Sequence, residues 1–314
     1  MVTIPQLATE FRKLGHATGL TAHLVCTALI LEEAFGREWS VNSGLAKRVF
    51  RAASSKNRRP SEAGGEAYWF STPADPADGT VAPFLDAYRA IRLADSLNNL
   101  RSCVGFAQKI AEIKGNLDIE QLEAEFWGAR QIAMVAPIEF LNPSDYAGKS
   151  PDIRVADGLA HAELKNKLPQ TACTYETILS TLKKAAQKPA PGAKLLYLRL
   201  PNEWGEEPLV ELNVRAAFEE VARSRHSVVL QVAHVELFYA LPVPTFVVGR
   251  WTHINSACRF RTAALDRLVL DLIADPAPMP TSWISIEALT EAAALLIEEN
   301  GGVTPGAPDR LPES

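Results

Sequence analysis

Cysteine is scarce and scattered, with four in 314 residues, at positions 26, 103, 173 and 258, and no CxxC pair. Such spacing supports neither a zinc site nor a disulfide framework, and reduced thiols in a cytoplasmic protein are the expectation. Long apolar runs are missing as well. The best candidate, Leu20 to Leu31, falls short of the roughly 18 residues that a membrane helix needs, and it carries His23. The opening residues lack the basic-then-apolar layout of a secretory signal. No membrane partner is expected. Neither a GxxxxGK[ST] loop nor a GxGxxG turn occurs, so ATP-driven and dinucleotide chemistry have no support. His234 and His253 lie on or near predicted strands without a partner that would make a Ser-His or Cys-His pair.

Basic charge is in deficit overall, at a formal net charge of −5, which argues against a broadly basic nucleic-acid coat. Its distribution is uneven. From Lys149 to Arg199 there are nine Lys/Arg against four Asp/Glu, a local +5, so the remainder carries −10. An electropositive face of that kind favours phosphate. A second basic group (Lys47, Arg48, Arg51, Lys56, Arg58, Arg59) reads first as a solvated helix end and second as a nucleic-acid contact.

Apolar spacing predicts helices over Gln6 to Lys13 and Thr21 to Phe35, with Gly36 as a stop, and a further one within Arg37 to Phe50. Residues 53–82 are polar and rich in Gly and Pro, as in a long loop. Pro83 to Lys114 reads as a long helix or helix pair, and about Asp118 to Val135 as another. Then come a strand at Ile138 to Leu141 and a hairpin within 149–167. A helix from Tyr175 to Lys188 follows, with Thr174 as N-cap, and then a strand from Lys194 to Leu200. A helix near Asn213 to Arg223 precedes two strands, Ser227 to Ala240 and Pro244 to Trp251. Helices near Thr262 to Ile273 and Ile286 to Glu299 end in a Gly/Pro tail expected to be disordered.

The hairpin carries the chemistry. Ile153, Val155, Leu159, Ala162 and Leu164 give apolar positions on two short runs, and Asp157-Gly158 between them is a strong turn signal. Alternation puts Glu163 and Lys165 on one face and Leu164 on the other. A tight turn brings Asp152, at the start of the first run, beside them. Two carboxylates and an ammonium thus gather at one end of a sheet. Hard cations such as Mg²⁺ take one or two carboxylates and keep waters or substrate phosphate elsewhere.

At Pro151-Asp152 and Glu163-Leu164-Lys165 the chain resembles the PD-(D/E)XK, or restriction-endonuclease-like, nuclease superfamily. The order helix, three strands, helix, strand around these residues strengthens the resemblance, which covers roughly residues 117–251. It implies an α/β fold: an α-β-β-β-α-β core with a mixed sheet flanked by helices, at 116–260. The rest of the chain divides into an N-terminal helical region at 1–115 and C-terminal helices with a tail at 261–314. The implied activity is metal-dependent hydrolysis of nucleic-acid phosphodiesters with Mg²⁺ or Mn²⁺, DNA being favoured over RNA. The alternative is a catalytically silent protein of the same fold that binds nucleic acid or acts as a regulatory module. Homo-oligomers through the N-terminal helices are compatible with either.

The resemblance also assigns roles. Asp152 and Glu163 become metal ligands and Lys165 the catalytic lysine. A glutamate from the first core helix is expected to complete the site: Glu123 is favoured, ahead of Glu125 and Glu120. Glu123 and Glu125 lie about 200° apart on a helical wheel, so only one can face it. From the second core helix, Lys183 and Gln187, one turn apart, are expected near the phosphate, with Lys184 competing. Asn166 and Lys167 continue the strand toward backbone phosphate. His161 shares the strand face of Glu163 and reads first as a partly buried neighbour.

Overall fold

Alternating apolar residues build a sheet that is covered on both faces. The computed structural model describes residues 4, 7–9, 19–36, 81–113, 119–142, 151–167, 171–205, 207–239 and 245–274. The elements are α1 (Gly19–Phe35), α2 (Val81–Leu100), α3 (Phe106–Ile113), α4 (Ile119–Ala133), β1 (Ile138–Phe140), β2 (Ile153–Val155), β3 (Ala160–Asn166), α5 (Tyr175–Gln187), β4 (Ala193–Arg199), α6 (Val210–Ser224), β5 (Val228–Tyr239), β6 (Thr245–Ile254) and α7 (Ala263–Ile273). The helix expected within Arg37 to Phe50, the basic group at 47–59, the helix at 286–299 and the tail lie outside the described residues. So does the loop expected at 53–82 up to residue 80; its last two residues, Val81 and Ala82, already belong to α2.

The six strands form one mixed sheet in sequence order. β1, β2 and β3 run antiparallel, β3, β4 and β5 parallel, and β5 and β6 antiparallel. The β3–α5–β4 and β4–α6–β5 connections use helices because parallel strands need a crossover. Period-two alternation sends Leu195 and Tyr197 to one face and Leu196 and Leu198 to the other. The first face is buried with Leu93, Leu97, Phe126 and Leu268, from α2, α4 and α7. The second is buried with Ile178, Leu182, Val214 and Phe218, from α5 and α6. The result is a helix–sheet–helix sandwich.

The expected division at 115/116 falls within the first of these cores rather than at a break in packing. Ile4, Ile30 and Leu97 belong to the same buried cluster as Ile153 and Leu195. Phe106 of α3, Phe126 of α4 and Phe140 of β1 meet with ring centroids 6.0–6.1 Å apart. The reading at 261–314 shifts in the same way, since Leu265, Val269 and Leu272 of α7 are buried in that cluster.

Asp157-Gly158 form the turn of the β2–β3 hairpin. The Leu159 amide donates to the Ala156 carbonyl at 3.1 Å, and Asp157 and Gly158 take φ of 54° and 95°, the left-handed pair of a two-residue hairpin turn. Ala156 also has positive φ, 47°, so the ladder starts only at Val155–Ala160. Thr174 caps α5 as expected, its Oγ1 accepting from the Thr177 amide at 3.2 Å.

Candidate functional site

β2 is short and β3 long, and the site sits where they part. The last ladder pair is Ile153–Ala162. The Asp152 amide still donates to the Ala162 carbonyl, and the Asp152 carbonyl accepts from the Leu141 amide, both at 3.1 Å. Asp152 is therefore held between two strands, opposite Glu163 and on the same face. Beyond it, the edge of β3 has no strand partner among the described residues. The Leu164 amide, which would be orphaned there, donates to Asp152 Oδ2 at 2.7 Å. That bond satisfies a buried donor and fixes the carboxylate.

Three side chains predicted from the sequence converge here. Lys165 Nζ is 3.8 Å from Asp152 Oδ2 and forms an ion pair with Glu163 Oε1. A fourth was not foreseen: Lys188 Nζ lies 3.2 Å from Asp152 Oδ1 and 2.6 Å from Glu163 Oε1. Burial, reinforced by the Asp152 charge, raises the Glu163 pKa against the pull of Lys165 and Lys188. Burial opposes the charge of Lys188, but the two carboxylates overcome it and raise the lysine pKa. Lys188 escaped notice because it is the C-cap of α5, at ψ 132° before Pro189, so its side chain leaves the helical face that periodicity describes.

The first-helix glutamate is the main departure. Glu123 turns away from the cluster and is buried at 1 % exposure, 2.9 Å from Arg89 Nε and 3.5 Å from Arg199 Nη1. Glu125 is the one beside it. Its carboxylate pairs with Lys109 of α3 at 2.5 Å, and burial followed by the Asp152 charge raises its pKa. The side chain of Glu120 lies outside the described residues.

Other expected residues are dispersed. Lys183 points across to Glu220 of α6 at 3.4 Å, and Lys184 is exposed. Gln187 is exposed on the rim of a cleft next to Lys188. Lys167 is half-buried, and its amide donates to the Arg199 carbonyl at 2.9 Å. Asn166 stands in register with Arg199 on the opposite sheet face from Glu163. His161 is buried, its pKa lowered by burial and the Arg154 charge. His253 packs against Phe218, and His234 stacks on Trp127 at 3.6 Å between centroids.

Among the described residues no group of three or more His, Cys, Asp or Glu is disposed to hold a metal ion. The two-carboxylate set nonetheless suits Mg²⁺ or Mn²⁺, which bind hard oxygens and retain waters. Glu163 Oε2 is buried without a hydrogen-bond partner, a lone-pair site that a cation would satisfy. Comparison with protein-family models, curated proteins and solved structures returns no match for the chain. No described helix is long and apolar enough to cross a membrane.

Proposed function

We propose that the chain is a metal-dependent nuclease of the PD-(D/E)XK type, acting on nucleic-acid phosphodiesters, with DNA favoured over RNA. One observation carries this reading: Asp152 and Glu163 meet side by side with Lys165 at the open edge of β3. Asp152 and Glu163 would hold Mg²⁺ or Mn²⁺. Bound there, the metal supplies a polarised phosphate and a water of lowered pKa. The Leu164 amide keeps Asp152 oriented. Lys165 stabilises charge developing on the phosphate. Lys188 balances the paired carboxylates until substrate and metal arrive, and Glu125, through Lys109, sets the potential around Asp152.

A second reading, a catalytically silent protein that binds nucleic acid or regulates, draws on the same lysines. Lys188 touches both carboxylates, so their charge is already compensated within the chain.

Nicking of plasmid, single-stranded DNA and RNA, run beside calorimetric metal titration, separates the two. Wild type is expected to cleave in Mg²⁺ or Mn²⁺ and to stop in chelator. Asp152→Asn and Glu163→Gln should lose metal binding and turnover together. Lys165→Ala should keep metal while cleavage slows by about 10²-fold, the usual loss for one charge-stabilising group. Nucleic-acid binding without metal uptake or cleavage would leave the silent reading standing.

A further inference from the structure

A cleft of about 440 Å³ reaches the carboxylate pair through Lys188 and is lined by Lys188, Lys194, Arg225, Ser227, Arg259 and Phe260, with no Asp or Glu among its lining residues. The four cations come from separate parts of the chain. Lys188 ends α5, Lys194 lies in β4, Arg225 caps α6, and Arg259 precedes α7.

Their interactions are unusual for surface cations. Arg215 of α6, Arg261 just before α7 and Arg267 of α7 each pair with a carboxylate. Among the described residues Arg225 and Arg259 have none. Arg225 Nε is buried without a hydrogen-bond partner, and the Arg259 guanidinium lies 4.9 Å over the Phe260 ring. Lys194 Nζ is anchored by the carbonyls of Ala186, at 2.6 Å, and Lys188. Its pKa is lowered by burial, and further by Arg225 against the opposing Glu163 charge. Like charges gathered beside low-dielectric walls repel, and an anion among them reverses the sign of that interaction.

We propose that this cleft is a phosphate-binding subsite, holding one phosphate of a nucleic-acid strand whose neighbouring phosphodiester lies at Asp152 and Glu163. The proposal rests on the nuclease reading for its substrate class. Lys188 links the two places, since it lines the cleft and contacts both carboxylates. The phosphate is either an internal one of the strand or a terminal one, and the same cations would bind both.

The test uses the full chain in chelator and a fluorescein-labelled single-stranded oligodeoxynucleotide, with and without a 5′-phosphate, followed by anisotropy over a salt series. Arg225→Ala combined with Arg259→Ala should weaken binding about tenfold or more. It should also flatten the slope of log affinity against log salt by roughly 1.4, two cations at about 0.7 each on a single strand. Arg259→Glu, at an exposed position, repeats the loss without touching the buried Arg225 nitrogen, and thermal melting verifies the fold of each variant. Arg267→Ala, on exposed α7 surface, is the unaffected control. Tighter wild-type binding of the phosphorylated strand alone assigns the cleft to a terminal phosphate; equal binding assigns it to an internal one. Unchanged affinity and slope in the double variant, with wild-type cleavage intact, overturn the subsite and leave the nuclease reading in place. Weakened binding in the double variant of a wild type that never cleaves keeps the subsite and removes the hydrolytic reading.

Discussion

Glu123 and Glu125 stand two residues apart on α4 and meet opposite surroundings. Burial alone would raise the Glu123 pKa, but Arg199, Arg89 and Arg92 overcome it and hold the carboxyl below the usual range. Around Glu125 burial and Asp152 win over Lys109, and the pKa goes up. Glu123→Gln should therefore act on stability, lowering it by about 3 kcal/mol in urea unfolding, because it strands buried guanidinium charge. On the proposed nuclease reading, Glu125→Gln should act on cleavage, by about tenfold to a hundredfold, as loss of a supporting charge partner does. The helical wheel shows that only one of the two can face the site, and the choice of Glu123 failed because it depends on which arginines α2 and β4 deliver. His234 gives a pH signature. It is buried against Trp127, and burial, with Arg92, Arg199 and Arg250, holds its pKa well below the ordinary imidazole value. The folded state refuses a proton that the unfolded state accepts below about pH 6.5. Stability from this group is thus complete above that pH and declines as pH falls below it. His234→Phe, which preserves a stacking ring, should reduce the loss between pH 6.5 and 5; an identical pH profile for wild type and variant would refute it.

At the scale of elements, backbone geometry decides what surrounds the site. Val104 bridges to Glu139 at the free edge of β1, and its carbonyl accepts from the Phe140 amide at 2.9 Å. Gly105 follows at φ +77°, where an added Cβ would stand 2.3 Å from the Phe140 carbonyl oxygen. Neither the angle nor the space admits a side chain. Gly105→Ala should cost roughly 1–3 kcal/mol, read as a fall in melting temperature, and should loosen the β1 edge first in hydrogen exchange. Strands, caps and the Asp157-Gly158 turn were legible because their signals are local: alternation, a capping threonine, a turn pair that tolerates positive φ. Lys188 was not legible, because its direction is set by the departure of the chain from α5. The same limit applied to Lys183, expected near the phosphate, whose partner is instead Glu220 of α6.

For the whole molecule the question is whether the first hundred residues are an addition or part of the core. Sequence marked them as amphipathic helices, and amphipathicity says that a face is buried without saying against what. The structure supplies the cover: α2 packs between α1 and α4. Leu93, Leu97 and Leu100 of α2 are each at most 1 % exposed. At about 1.5–3 kcal/mol for each buried leucine, those three contribute roughly 5–9 kcal/mol, comparable with the entire stability of an ordinary domain. Polar ties cross the same interface, Arg89 to Glu123 at 2.9 Å and Arg130 to Asp95 at 2.9 Å. A chain shortened to begin at Gly115 would expose Phe126 and Ile132, now fully buried, and leave Glu123 with Arg199 but without Arg89. It should retain helical circular dichroism while losing a cooperative melt and binding a hydrophobic dye. A sharp, reversible transition in the shortened chain would show instead that α4 to β6 close their own core, and that the N-terminal helices are separable after all.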